Sequence, residues 1–155
     1  MIMGMEIRPA GGGLSANSDS ILILPWESPT AVAGTWARNS DANSIYGDEL
    51  SNIATHADGD KIRFSAWINA GTYIVGCVAR QGNNAGIAKI DIGGTTAHTV
   101  DMYSATLATS KDSSTSGFVV AAGATVNVDW YASGKNGASS NYFLPLNYIY
   151  LRRSA

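Results

Sequence analysis

The sequence predicts an all-β protein: an antiparallel, jelly-roll-like β-sandwich of eight or nine strands behind a flexible N-terminal arm. The first observation is the stretch DKIRFSAWINAGTYIVGCVARQGNNAGIAKIDIGG, from Asp60 to Gly94. Ile62, Phe64, Ala66 and Ile68 alternate with Arg63, Ser65 and Trp67, and Tyr73-Val75-Cys77-Ala79 and Ala88-Ile90-Ile92 keep the same period. A period of two is what a half-buried strand requires, and the three strands are expected to form an antiparallel meander. The second observation is turn chemistry at short spacing along the chain, here Asn69-Ala70-Gly71, Gln81 to Gly86 and Gly93-Gly94. No helical periodicity competes with it.

The elements follow in order. Met1 to Ser20, with Pro9, Gly11-Gly12-Gly13 and the run SANSDS, has little to bury and is expected as an arm, leaving 21–155 as a single domain. Ile21 to Leu24 forms a first strand, ended or held at an edge by Pro25. Val32 to Arg38 is a second, and Asn39 to Asp60 a polar loop with one short strand or helical turn. After the meander come a short strand at Thr99 to Tyr103 and a loop from Leu107 to Gly117. Phe118 to Val120 and Val126 to Trp130 follow, joined through Gly123. A last strand runs from Tyr142 to Arg152, interrupted by Pro145.

Composition fits one compact domain. A chain of 155 residues buries about 68–70% of its unfolded surface, enough for a core without disulfide or metal. Charged residues are only 14% of the chain, which suggests that part of the surface is covered in an assembly. A net charge of −2, with no basic cluster larger than Arg152-Arg153, argues against a nucleic-acid partner. No apolar run approaches the length of a membrane span, and the first residues do not read as a secretory signal. The lone Cys77 excludes an internal disulfide and a multi-cysteine zinc site, fits synthesis in a reducing cytoplasm, and reads as a buried, inert thiol.

A catalytic set is missing. His56 and His98 lie in different segments without metal-ligand spacing, and His98 is expected to make a local hydrogen bond or face solvent. Asp48, Glu49, Asp91, Asp101 and Asp129 show no spacing that selects a catalytic pair, and Asp91 and Asp129 fall on the polar phase of their strands. Asp58-Gly59-Asp60 reads as a tight turn rather than a calcium loop, and Gly134-Lys135-Asn136-Gly137 as a hairpin-type turn rather than a phosphate loop. No enzyme activity, cofactor or metal is expected. The aromatic residues are the remaining handle. Trp67, on the polar phase of its strand, is the best candidate for an exposed indole. With Tyr103, Asn136 and Tyr142 it could serve a glycan, though core or subunit packing is the favoured reading of the aromatic residues.

The combination of Ala70-Gly71-Thr72-Tyr73, Gly86-Ile87 and Asp101-Met102-Tyr103 resembles a module of virion proteins from tailed bacteriophages. Gly134-Lys135-Asn136, Ser139 to Tyr142 and the terminal Ile149 to Arg153 extend the likeness over most of 60–153. The resemblance implies a jelly-roll-like sandwich in capsid decoration, head-fibre or tail-fibre tip proteins, often trimeric. It therefore implies a virion location and other virion proteins, of capsid or tail, as partners. On this reading the protein is a non-enzymatic virion structural protein, and the alternative is a module binding a cell-surface glycan.

A homotrimer is expected from the low charge, the aromatic content and the resemblance. Tyr148 and Tyr150 alternate with Ile149 and Leu151, so both faces of the last strand are apolar enough to be covered. A charge at Tyr150 should then lower the oligomer mass in light scattering while leaving the fold intact; a monomeric wild type would count against the trimer.

Overall fold

The computed structural model describes residues 20–54, 56–106 and 110–154. These form eleven strands and no helix: β1 (Ser20–Ile23), β2 (Thr30–Ala33), β3 (Trp36–Ser40), β4 (Asp48–Asn52), β5 (Lys61–Ile68), β6 (Gly71–Arg80), β7 (Ile87–Ile92), β8 (Thr95–Asp101), β9 (Ser110–Val120), β10 (Ala124–Ala132) and β11 (Tyr148–Arg153). A four-stranded sheet in the order β1-β11-β6-β9 packs on a five-stranded sheet in the order β2-β5-β10-β7-β8, and β3 and β4 form a separate hairpin. All the pairings are antiparallel. The all-β sandwich read from the sequence is the architecture found, with more strands than expected.

Alternation built the core as anticipated. Ile62, Phe64, Ala88, Ile90, Ile92, Val128 and Trp130 on one sheet meet Tyr73, Val75, Cys77, Ile149 and Leu151 on the other. Burial pushes the Cys77 thiol up to about 12, with Asp112 adding to the effect, so the thiol is inert. Asp129 is buried because Arg63, directly opposite on β5, grips it with two hydrogen bonds of 2.7 and 2.8 Å.

Several local expectations are corrected. The meander does not exist: β5 pairs with β2 and β10, β6 with β11 and β9, and β7 with β10 and β8. The chain therefore crosses the sandwich after β5 and crosses back after β6. Alternation specifies which face of a strand is buried, but it carries no information about the partner strand. The strand expected over Val32 to Arg38 is two, split at Gly34, whose φ of +76° disfavours a side chain and on which a Cβ would collide with the Asp60 carboxylate. The polar loop over Asn39 to Asp60 does hold the one short strand expected, β4, and it pairs with β3. The short strand at Thr99 starts at Thr95, straight after Gly93-Gly94, both at positive φ as a two-residue hairpin requires.

The loop expected over Leu107 to Gly117 is largely β9; residues 107–109 lie outside the described residues. This polar strand is a sheet edge that pairs with β6 through its backbone, so it needs no apolar period. The last strand is shorter than expected, and residues 142–147 run as an irregular clamp bonded to β4 through Leu50 and Leu146. Of the proposed arm, Ser20 is the first residue of β1, and residues 1–19 lie outside the described residues.

His98 departs from its expectation as well. It is buried, and its ring nitrogens lie 2.8 Å from Thr115 Oγ1 and 3.1 Å from Ser113 Oγ on β9, tying the two sheets together. A second polar knot joins the β3–β4 hairpin to β6. Glu49, 1% exposed, accepts two bonds from Arg80, 2.9 Å from Nε and 2.8 Å from Nη2, and a third of 2.7 Å from the Ser44 hydroxyl.

Two stability predictions follow from these knots. Glu49→Gln leaves a buried guanidinium short of its counter-charge and should cost about 3–5 kcal/mol in urea unfolding. Burial, with Lys111 nearby, holds the His98 pKa below its ordinary 6.5. The unfolded chain therefore takes up a proton below 6.5 that the folded state resists, and stability falls as pH drops from 6.5 toward the folded value. Unfolding curves between pH 7 and pH 5 should show that loss, and His98→Gln should remove its share of the slope.

Candidate functional site

At one end of the sandwich the start of β5, the end of β10, the start of β7 and the end of β8 come together, and their connecting loops form a polar cap. Gly86 is its centre. Its N–H donates to Phe143 O at 2.9 Å, and its carbonyl accepts from Met102 N at 3.1 Å. The next residue, Ile87, bonds Gly134 O at 2.9 Å. A Cβ on Gly86 would lie 3.2 Å from Tyr142 Cα and 3.3 Å from Gly134 O, so the loops approach this closely only because residue 86 has no side chain.

Around this point three residues singled out in the sequence converge. Asp101, at the end of β8, accepts the Tyr103 N–H on Oδ1 at 2.9 Å and the Asn136 amide on Oδ2 at 2.8 Å. Asn136 Oδ1 in turn accepts the Ala138 N–H at 3.0 Å, and the Asn136 carbonyl accepts from Ser139 N at 2.9 Å. This closes an Asx-type turn. The hairpin expected at Gly134 to Gly137 is thus a turn one step further on, inside a long connection between β10 and β11. The Lys135 ammonium sits 5.2 Å from the Tyr142 ring centroid, a cation–π geometry. Tyr103, Asn136 and Tyr142 are each half-buried, and Asn83, Lys135 and Ser140 are exposed nearby.

Trp67 is elsewhere. It is 43% exposed, as its strand phase implied, but it stands opposite Thr125 at the far end of β5. Six residues of strand, roughly 20 Å, separate Trp67 from Lys61 at the cap end. Its indole N–H donates to Asn69 Oδ1 at 2.9 Å. Tyr148 and Tyr150 lie on the outer face of the four-stranded sheet, half-exposed.

The sequence reading missed Asp101 as the organiser and Lys135 as the cation over Tyr142. The spacing Asp101-Met102-Tyr103, in which a carboxylate caps the N–H two residues on, is a local signal that can be recognised in the sequence. Gly86 has no such signal, because its constraint comes from loops 48 and 56 positions away.

The carboxylates near this cap are engaged. Asp58 accepts the Gly134 N–H at 2.7 Å, and Asp60 accepts from Asn52 Nδ2 at 2.8 Å and Ala57 N at 2.9 Å, so Asp58-Gly59-Asp60 is the turn expected. Asp91, toward the other end of β7, accepts from Thr96. His56 Nδ1 lies 3.0 Å from the Asn141 amide, and the Ser139 hydroxyl lies within hydrogen-bonding distance of two carbonyls. Among the described residues no three His, Cys, Asp or Glu side chains converge as a metal site, and no helix is long and apolar enough to cross a membrane. The arrangement offers aromatic faces, amides and an ammonium. It offers no nucleophile–base pair.

No family model and no curated protein matches the chain. Solved structures do. The chain aligns over 84% of its length with 12% of a xanthan lyase from Paenibacillus, at 28% identity and a TM-score of 0.67. It aligns over 88% of its length with 98% of the CBM36-1 domain of a multidomain xylanase from the hindgut metagenome of Trinervitermes trinervoides, at 13% identity and a TM-score of 0.65. It aligns over 80% of its length with 98% of a carbohydrate-binding module, CBM36, in complex with calcium and xylotriose, at 15% identity and a TM-score of 0.53. The fold is thus the jelly-roll sandwich of carbohydrate-binding modules, while the lyase is matched only over a small part of its own length.

Proposed function

We propose that this protein is a non-catalytic glycan-binding module whose ligand docks on the loop cap around Tyr103, Asn136 and Tyr142. The observation that carries the reading is the convergence of Tyr103 and Asn136 on Asp101, with the Tyr142 ring beside them next to Lys135. Three residues distributed over 39 positions of sequence are brought to one surface, where half-buried rings stand beside amides and an ammonium. Rings of this kind present an apolar face to the C–H face of a pyranose, and the surrounding amides and Lys135 have the donors and acceptors its hydroxyls need. The likeness in fold to modules whose names state carbohydrate binding supports it. The virion role, the trimer and the capsid or tail partners implied by the sequence resemblance find no support among these structures and are not part of this reading.

Calcium in one similar structure raises the question of a cation here. The residues at the cap do not fit one: Asp58, Asp60 and Asp101 accept hydrogen bonds within separate loops, and among the described residues no three His, Cys, Asp or Glu side chains converge. Binding is therefore assigned to the side chains alone.

Affinity electrophoresis and calorimetry with soluble xylan, xanthan and β-1,3-galactan test the proposal. Tyr142→Ala should weaken binding by roughly tenfold, the loss of about 1.4 kcal/mol, while the circular-dichroism spectrum stays that of the folded wild type and the melting temperature falls only modestly, since the ring packs against the edge of the core. Trp67→Ala, at the opposite end, should bind as the wild type does. EDTA should leave the affinity unchanged, and no new reducing ends should appear on long incubation. Failure to bind any of the three polysaccharides, or loss of binding on Trp67→Ala alone, would overturn the cap as the site.

A further inference from the structure

We propose that the outer face of the four-stranded sheet is a second glycan-binding surface, which takes a single polysaccharide chain laid along Tyr46, Tyr148 and Tyr150. The proposal rests on the glycan-binding reading above but concerns a different surface, built from different residues.

Tyr150 shows the construction. The register places Gly76 of β6 directly opposite it, and Ser114 of β9 opposite Gly76. A Cβ on Gly76 would lie 2.5 Å from Tyr150 Cζ, so the ring occupies the space that a side chain on β6 would fill. It crosses the whole of β6, and its hydroxyl donates to Asp112 Oδ1 on β9 at 2.7 Å. The ring is therefore held flat on the sheet by the backbone beneath and a charge-assisted bond at its tip. Two residues along the same strand face, the Tyr148 ring lies 6.3 Å away, and Tyr46 from the β3–β4 turn lies 6.1 Å beyond that. Tyr46 is 55% exposed. Ser20, Asp112, Ser114 and Arg152 join Tyr148 and Tyr150 in lining a shallow cleft of ≈ 420 Å³.

Three rings in a row beside hydroxyls, a carboxylate and a guanidinium suit a ligand that is apolar on its faces and polar around its rim. A pyranose has that character. A second copy of this chain suits the cleft less well, because the centres of protein interfaces are depleted in aspartate and here Asp112 lines the cleft. The rings are not coplanar: successive planes turn by 50° and 40°. A flat crystalline surface would meet one ring at a time. A free chain that twists along its axis can meet all three.

Partial burial raises the pKa of both Tyr148 and Tyr150, the Asp112 bond adding to it for Tyr150, so the phenols remain hydrogen-bond donors at neutral pH.

Calorimetry with soluble xylan or xanthan, whichever the wild type binds, and pull-down on microcrystalline cellulose provide the test. The wild type should show two sites on soluble chains and no retention on cellulose. Tyr148→Ala and Tyr46→Ala should each weaken the second site roughly tenfold. Tyr46→Ala is the safeguard for folding, since that side chain is mostly in solvent. Gly76→Ala should weaken the same site by displacing the Tyr150 ring, and should also lower stability, because its Cβ would lie 2.7 Å from the Ser113 carbonyl. Tyr142→Ala should weaken only the other site, so loss confined to Tyr46, Tyr148 and Gly76 variants would sustain the face and refute the cap. A single site lost on Tyr142→Ala and indifferent to Tyr46→Ala and Tyr148→Ala would overturn the face. So would a light-scattering mass that falls from oligomer to monomer on Tyr150→Asp, since it would identify the occupant as a second copy. Absence of any binding by the wild type would overturn both.

Discussion

The two-point contact between Arg80 and Glu49 is the constraint on which the rest of the molecule depends. Both groups are buried, Arg80 near the end of β6 and Glu49 in β4, so each is tolerable only because the other is present. Arg80 also lies 3.4 Å from Asp41 and stacks 5.3 Å from the Phe143 ring. Ser44 bonds Glu49, and Asn147 reaches Ser44 Oγ at 3.0 Å and the Asp48 carbonyl at 3.1 Å. The knot therefore fastens the β3–β4 hairpin to the sandwich and sets where β11 begins.

Both proposed surfaces inherit their geometry from that knot. On one side, Asn52 at the end of β4 receives the Leu144 N–H at 2.9 Å and donates to the Tyr142 carbonyl at 3.1 Å, which positions the Tyr142 segment over Gly86. On the other, the turn between β3 and β4 carries Tyr46 to within 6.1 Å of Tyr148. A hairpin outside the two main sheets is thus the element that places an aromatic ring at each surface. The geometry is that of a rigid scaffold with its recognition groups on loops and on one sheet face, which suits binding without a large change of shape.

The division of labour between the two sheets is equally physical. The five-stranded sheet closes its charges internally, with Arg63 and Lys61 gathered on Asp129. The four-stranded sheet leaves Asp112, Ser114 and Arg152 on its outer face among tyrosines. His98 bridges the two, which explains why β9, polar and at an edge, stays in register: Ser113 and Thr115 point to a buried partner.

What the sequence determined by itself is the local part. The all-β class, the buried faces of β5, β7 and β10, the end of β1 before Pro25, the Gly93-Gly94 turn and the exposure of Trp67 all follow from the order of neighbouring residues. Side-chain alternation and turn chemistry act over two to four positions, so they can be read directly. The tertiary structure decided everything that joins distant segments. It decided that β5, β6 and β7 are not neighbours, that β9 is a strand, that Glu49, Arg80, His98 and Asn147 are interior, and that Tyr103, Asn136 and Tyr142 meet while Trp67 stands apart. A polar side chain is stable inside only when a specific partner arrives from elsewhere in the chain, and a strand's partner is chosen by the packing of whole sheets. Neither condition leaves a mark on the residues next to it in sequence.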